Sequence, residues 1–191
     1  MIKFYFLFLL VGLISCSSEE GEVKADETSA SVKEFYLDNT FVQDYGVFYH
    51  NEEPFTGAVL DTFENGELEL RIVYLDGQEN GLSQKWYANG QICWENNYLK
   101  GKKEGNQQSW WSNGQIKYEG SSHLDLKEGE QLSWHQNGVM AEAKYYTDGR
   151  EDGNQKSWNS EGKLISNYTF KNGKRYGIVG RQDCYSVIEA E

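Results

Sequence analysis

From residue 57 onward, the apolar positions fall into columns that repeat every 24 residues. Trp86, Trp110, Trp134 and Trp158 form one column, with Thr62 in the first copy. Leu68, Ile92, Ile116, Met140 and Leu164 form a second. Tyr74, Tyr98, Tyr146 and Phe170 form a third, broken by Ser122. Between the Trp and Leu/Ile columns stands Asn-Gly, or once Glu161-Gly162. Two short runs of aromatic and β-branched residues around such a turn predict a β-hairpin. One period holds two strands and two turns, with no room for a helix. A fixed period of this size predicts a stack of like units, so the expected fold is all-β. Tandem antiparallel hairpins should form an elongated, single-layer, twisted sheet.

Glycine keeps the same clock. Gly57, Gly81, Gly105, Gly129, Gly153 and Gly177 are evenly spaced, as are Gly66, Gly90, Gly114, Gly138 and Gly162. A third set, Gly77, Gly101, Gly149 and Gly173, misses one beat at Asp125. The odd Glu161-Gly162 copy discriminates between turn types. A two-residue type I′ turn needs positive φ at both central residues, which glutamate resists. A three-residue loop, type I followed by a left-handed glycine, needs it only at the glycine. That loop pairs Tyr87 with Gln91 and Trp86 with Ile92. Continued in the same register, it puts Trp86, Ile92, Trp94 and Tyr98 on one half-buried face. The polar residues Ser83, Lys85, Gln91 and Glu95 then fall on an exposed face with Tyr87 and Cys93. Gln107, Gln131 and Gln155 join them there, with Ser109, Ser133 and Ser157.

The two ends read differently. Lys3 precedes an apolar run from Phe4 to Ile14 that is too short to span a bilayer and fits a secretory leader. Leu13-Ile14-Ser15-Cys16 resembles the lipobox of bacterial lipoproteins, which implies cleavage after residue 15 and lipidation of Cys16. An ordinary signal peptide or a membrane-anchoring helix is the alternative. Ser17 implies outer-membrane sorting, and Glu19-Glu20 resembles a surface-export tag. Residues 16–34 read as the lipidated cysteine and a flexible acidic tether, 35–187 as the repeat array and 188–191 as a tail. Eighteen tether residues reach roughly 25 Å. The envelope is thus the expected location, on the periplasmic or surface side of an outer membrane.

The chain carries 18 Lys and Arg against 30 Asp and Glu, a net charge of −12. That sign disfavours nucleic acid and anionic lipid surfaces as partners. Cys93 and Cys184 lie about seven strands apart, roughly 30 Å at 4.8 Å per strand. A disulfide needs Cα atoms within about 7 Å, so both thiols are expected to be free.

Pro54-Phe55-Thr56-Gly57, Glu-Asn-Gly-Glu-Leu (64–68), Tyr-Leu-Asp-Gly-Gln-Glu-Asn-Gly (74–81), Trp-Tyr-Ala-Asn-Gly-Gln-Ile (86–92) and their copies resemble the MORN-repeat variant of bacterial proteins. Many of those are described as YwqK-type antitoxins. The resemblance spans about residues 45–177 and implies tandem hairpins in an elongated sheet. The eukaryotic MORN repeats, linked with phospholipid binding, hold their Trp in a different glycine context, so that property does not transfer.

No nucleophile, phosphate loop or metal-ligand spacing stands out. His50 falls at an expected turn, His123 in the irregular repeat, and His135 in the column of Phe63, Tyr87, Trp111 and Asn159. No catalytic residue, metal or cofactor is expected, because an array presents like residues in rows. The row Trp86, Trp110, Trp134 and Trp158 is the candidate binding face for a protein or glycan. Self-association through sheet edges or the aromatic face would also cover it. The expected function is therefore a membrane-anchored, non-enzymatic binding or scaffold module. The alternative is an antitoxin or immunity-type protein, and residues 120–128 hold whatever the array does not explain. Cys16→Ala should move the protein from the membrane pellet to the soluble fraction; continued membrane retention would exclude lipidation as the anchor.

Overall fold

The computed structural model describes residues 32–179 and 186–188. Cys16, the tether and Cys184 lie outside them. Every regular element among the described residues is a strand. In chain order these are β1 (Glu34–Tyr36), β2 (Phe41–Asp44), β3 (Val47–His50), β4 (Glu53–Pro54), β5 (Gly57–Thr62) and β6 (Leu68–Leu75). Next come β7 (Gln78–Glu79), β8 (Gly81–Trp86), β9 (Ile92–Leu99), β10 (Lys102–Trp110), β11 (Ile116–His123) and β12 (Leu126–Trp134). The series ends with β13 (Met140–Thr147), β14 (Arg150–Trp158), β15 (Leu164–Lys171), β16 (Lys174–Val179) and β17 (Ser186–Ile188). From β5 onward the strands form one antiparallel meander in sequence order, with β7 a short side pairing on β6. At the near edge β1 runs parallel to β5.

Two turn types alternate along the meander. At one end each hairpin closes through the expected three-residue loop. Trp86 pairs with Ile92, the Tyr87 N–H donates to the Gln91 carbonyl at 2.8 Å, and the Gly90 N–H donates to the Tyr87 carbonyl at 2.8 Å. At the other end the strands close through two residues, both left-handed, as in Lys100-Gly101 (φ 51° and 76°). That is the type I′ geometry whose twist matches paired strands. The missed glycine falls in this second turn. Leu124 and Asp125 adopt φ of 50° and 72° without the help of glycine, at about 1–2 kcal/mol per residue.

The faces depart from the expected arrangement, and the cause is a β-bulge. Trp86 pairs with Ile92, but Lys85 pairs with Trp94, so one residue of β9 is extra. The same slip recurs at Trp110/Ile116, Trp134/Met140 and Trp158/Leu164. A one-residue slip exchanges the faces beyond it. Trp94, Asn96 and Tyr98 therefore share a face with Lys85, Ser83 and Gln107, not with Trp86 and Ile92. Gln107, Gln131, Gln155 and Ser83, expected to be exposed, have 0–4% of their surface accessible. The buried repeat residues from β8 onward lie on this side, which is hence the inner face.

Residues 41–54, read as part of the array, instead form a separate three-stranded sheet, β2–β3–β4. Its aromatic side chains cover the inner face of the first repeat. Phe48 stacks on Tyr74 with centroids 4.5 Å apart, and Phe41 and Phe48 both pack against Phe55. Val59 and Ile72 complete the cluster. His50, expected in a turn, ends β3 and stacks on Phe41 at 4.3 Å. Phe55, 5% exposed at the centre, should be the most sensitive position in the chain. Phe55→Ala should cost about 3–5 kcal/mol in urea denaturation; a loss below about 1 kcal/mol would show that this cluster does not anchor the array.

Candidate functional site

A second register slip, between Lys103 and Gln107 and likewise at Glu119/Ser121 and Lys144/Tyr146, lies at the other end of the strands from the Trp bulge, and there a buried glutamine takes backbone carbonyls. The Gln131 amide donates to the carbonyls of Ser121 and Glu128 at 2.8 and 2.9 Å. Gln155 donates to Tyr145 and Asp152 at 2.7 and 3.0 Å. Gln107 donates to Asn97 and Gly105 at 3.0 and 3.3 Å. The amide oxygens differ among the three. That of Gln131 accepts the Tyr118 hydroxyl. Those of Gln107 and Gln155 have no partner among the described residues, because their neighbours in Tyr118's column are Trp94 and Glu142. A buried acceptor left unpaired costs about 1–3 kcal/mol.

The inner face is built from three lateral rows, and they show where the repeat fails. In the first, Ser109 sits between Trp94 and Tyr118. In the second, Gln107 sits between Asn96 and Gly120. In the third, Gly105 pairs with Ser122. Other repeats fill the Gly120 column with Ile72, Asn96, Lys144 or Tyr168, and the Ser122 column with Tyr or Phe. Only this repeat is small in both. A Cβ at Gly120 would fall on the Gln131 amide oxygen and the Tyr118 hydroxyl, so those two side-chain ends occupy the space that the missing side chain leaves. Beside them, at Ser122, is a cavity of about 380 Å³ lined by Trp94, Asn96, Gln107, Ser109, Tyr118 and Ser122, with Lys103, Asp125 and Lys127 at its edge. Burial raises the Tyr118 hydroxyl above its ordinary value of 10.0, so it stays protonated and can donate.

The strained turn borders this cavity and is held from the preceding repeat. Asp125 Oδ1 accepts the Lys103 N–H at 2.8 Å, and the Asp125 N–H donates to the Lys103 carbonyl at 3.0 Å. Glu104 accepts the Leu124 N–H at 3.0 Å through one oxygen and lies 2.9 Å from His123 Nδ1 through the other. Those hydrogen bonds, led by the His123 contact, lower the Glu104 carboxyl; Glu104 in turn raises His123. His123 is thus an exposed turn clamp. Among the described residues, no group of three or more His, Cys, Asp or Glu could hold a metal.

The predicted Trp row lies on the outer face, since Trp86 follows Lys85 on an unbroken strand. Trp86, Trp110, Trp134 and Trp158 are all half-buried and share that face with the Ile/Leu column. The neighbouring column stitches repeats together. The Tyr87 hydroxyl donates to the Trp110 carbonyl at 2.9 Å, Trp111 Nε1 to the Trp134 carbonyl at 3.0 Å, and His135 Nε2 to the Trp158 carbonyl at 2.9 Å. His135 is therefore a ladder rung. Cys93 is free.

The buried amide was missed because glutamine among serines and lysines reads as a solvent-facing residue. Its exact recurrence every 24 residues at 107, 131 and 155 was the available signal. Gln131→Leu would leave two carbonyls and one hydroxyl unpaired in a nearly unchanged volume. It should destabilise the chain by on the order of 3 kcal/mol, read by chemical denaturation; a change within 0.5 kcal/mol, about what an ordinary surface substitution gives, would remove the amide ladder from the account.

No curated protein matches the chain. The family model described as MORN repeat variant matches residues 103–122, 127–148 and 151–172. Over three consecutive copies of the 24-residue unit, from β10 into the turn after β15, the chain is similar to that family.

Proposed function

We propose that the protein is a non-enzymatic binding module of the cell envelope, held to the membrane by a lipid on Cys16 and presenting its repeat array to a partner. The observation that carries this reading is the uncovered sheet. Beyond the first repeat, no second layer packs on the array among the described residues. Rows of aromatic side chains therefore remain available on both faces. Aromatic residues give large contact area at small entropic cost, which suits them to recognition.

The outer-face row offers the periodic surface. Trp86, Trp110, Trp134 and Trp158 lie on every second strand, so their spacing is about 9–10 Å. A protein edge or an extended glycan could engage several at once and gain by multivalency. Among the described residues no reactive constellation competes with this reading, and the three histidines have structural partners: His50 in the aromatic cluster, His123 at Glu104 and His135 on the Trp158 carbonyl.

Trp110→Ala with Trp134→Ala tests the row. Partners recovered by cross-linking on intact cells should fall at least tenfold, while β-type circular dichroism persists. Unchanged cross-linking by a folded double variant would refute the outer-face reading, and an unfolded one would assign the row to the sheet's own stability.

A further inference from the structure

The cavity on the inner face is a different site from the outer Trp row. Its position is set by a departure from the repeat at Ser122, which removes the aromatic side chain that the other repeats supply, while Gly120 lets Tyr118 reach Gln131 at its side. Its volume of about 380 Å³ lies within the range of about 300–1,000 Å³ typical of small-molecule sites. Trp94 and Tyr118 flank Ser109 from strands two apart, a separation of roughly 10 Å. That gap admits one ring, with an aromatic group on each side.

The chemistry of the lining narrows the ring. Asn96, Gln107, Ser109 and Ser122 provide amides and hydroxyls, more polar groups than an apolar ring could use. Gln107 is 3% exposed, and its amide oxygen lacks a donor because its nitrogen is committed to the bulge carbonyls. That oxygen is itself buried, so a ligand meets the Asn96 amide and the Ser109 and Ser122 hydroxyls. Gln155 has the same orphan oxygen but does not line this cavity. Aromatic flanks with amides and hydroxyls beneath suit a pyranose, whose C–H faces stack while its hydroxyls bond.

The charges at the edge add a preference. In a chain of net charge −12, this cavity has Lys103 and Lys127 against the single carboxylate of Asp125. Asp125 is engaged by the Lys103 backbone N–H, and the Lys127 ammonium lies 5.0 Å from the Tyr146 ring centre. Burial raises the Glu79 carboxyl, and Lys103, which faces it, partly offsets that rise. Lys103 is thus matched by Asp125 and Glu79, and Lys127 is the ammonium placed to meet a ligand carboxylate.

We propose that the cavity at Ser122 between Trp94 and Tyr118 binds a saccharide ring, and a sugar acid in preference to its neutral counterpart. The proposal does not depend on the outer Trp row.

The test titrates the full mature chain with trigalacturonate and with galactotriose, following tryptophan fluorescence and calorimetric heat. Trigalacturonate should bind at least tenfold more tightly than galactotriose in low salt, and Lys127→Gln should reduce that ratio. Ser122→Tyr restores the residue of the neighbouring repeats and fills the cavity, so it should abolish binding with the sheet intact. If that variant does not fold, Trp94→Ser places in the row the residue found at Ser166 and should also abolish binding. Equal affinity for the two sugars would overturn the acid preference. Absence of binding to both, or full binding by a folded Ser122→Tyr or Trp94→Ser chain, would overturn the site. The Trp110/Trp134 double variant should bind trigalacturonate normally, so failure of the outer-face reading and failure of this one are separately visible.

Discussion

The structure depends on one conflict between backbone and water: the register slip near the two-residue turns of β9–β10, β11–β12 and β13–β14, and the hydrogen bonds that the slip disrupts. Such a slip, with its extra residues, increases the twist and bends the sheet. It also leaves carbonyls on the inner side without ladder donors, and burying them unpaired is costly. A glutamine long enough to reach two such carbonyls resolves the conflict within its own repeat. Gln131 and Gln155 do so with nearly identical partners, each bonding the residues ten and three positions before it. The amide thus substitutes for the apolar core that a one-layer sheet cannot provide.

A periodic sheet still has to begin somewhere. The first strands cannot lean on a preceding repeat, and an exposed edge or face invites association. Here β1 caps the edge of β5 in parallel, and β2–β4 place Phe41 and Phe48 against Phe55 and Tyr74. This cluster is the most conventional hydrophobic core among the described residues. It is built from phenylalanine, whereas the inner face farther along depends on tyrosine and amide. The change marks where stabilisation passes from apolar burial to hydrogen bonding.

The fold class was legible in the sequence because columns and turns carry it directly. The Trp86/Ile92 pairing followed from the reluctance of Glu161 to take a left-handed conformation. Face assignment was not legible, because the extra residue per hairpin has no glycine or proline to announce it: Cys93, Lys117, Ala141 and Ile165 stand in its column. Trp94 and Tyr98 consequently fell on the wrong side, and the face that holds the glutamines was read as exposed. The N-terminal sheet escaped for a different reason. Its strands are short and its Tyr45-Gly46 turn resembles those of the array, yet it has no 24-residue partner to reveal that it stands apart.

Irregularity within a repeat protein is informative only when it is coordinated. Asp125 alone would be a tolerated lapse, since its side chain and N–H bond Lys103 and hold the turn. Ser122 alone would be an ordinary truncation of an aromatic row. Gly120 alone would serve only to admit the contact between Tyr118 and Gln131. The three lie on one strand and its turn: Ser122 and Asp125 line the cavity beside Gln107, whose amide oxygen has no partner among the described residues, and Gly120 admits Tyr118 to Gln131 at its side. Random decay would scatter such losses over the many equivalent positions of the array. Their coincidence above a polar floor gives this repeat a chemical identity that its neighbours lack.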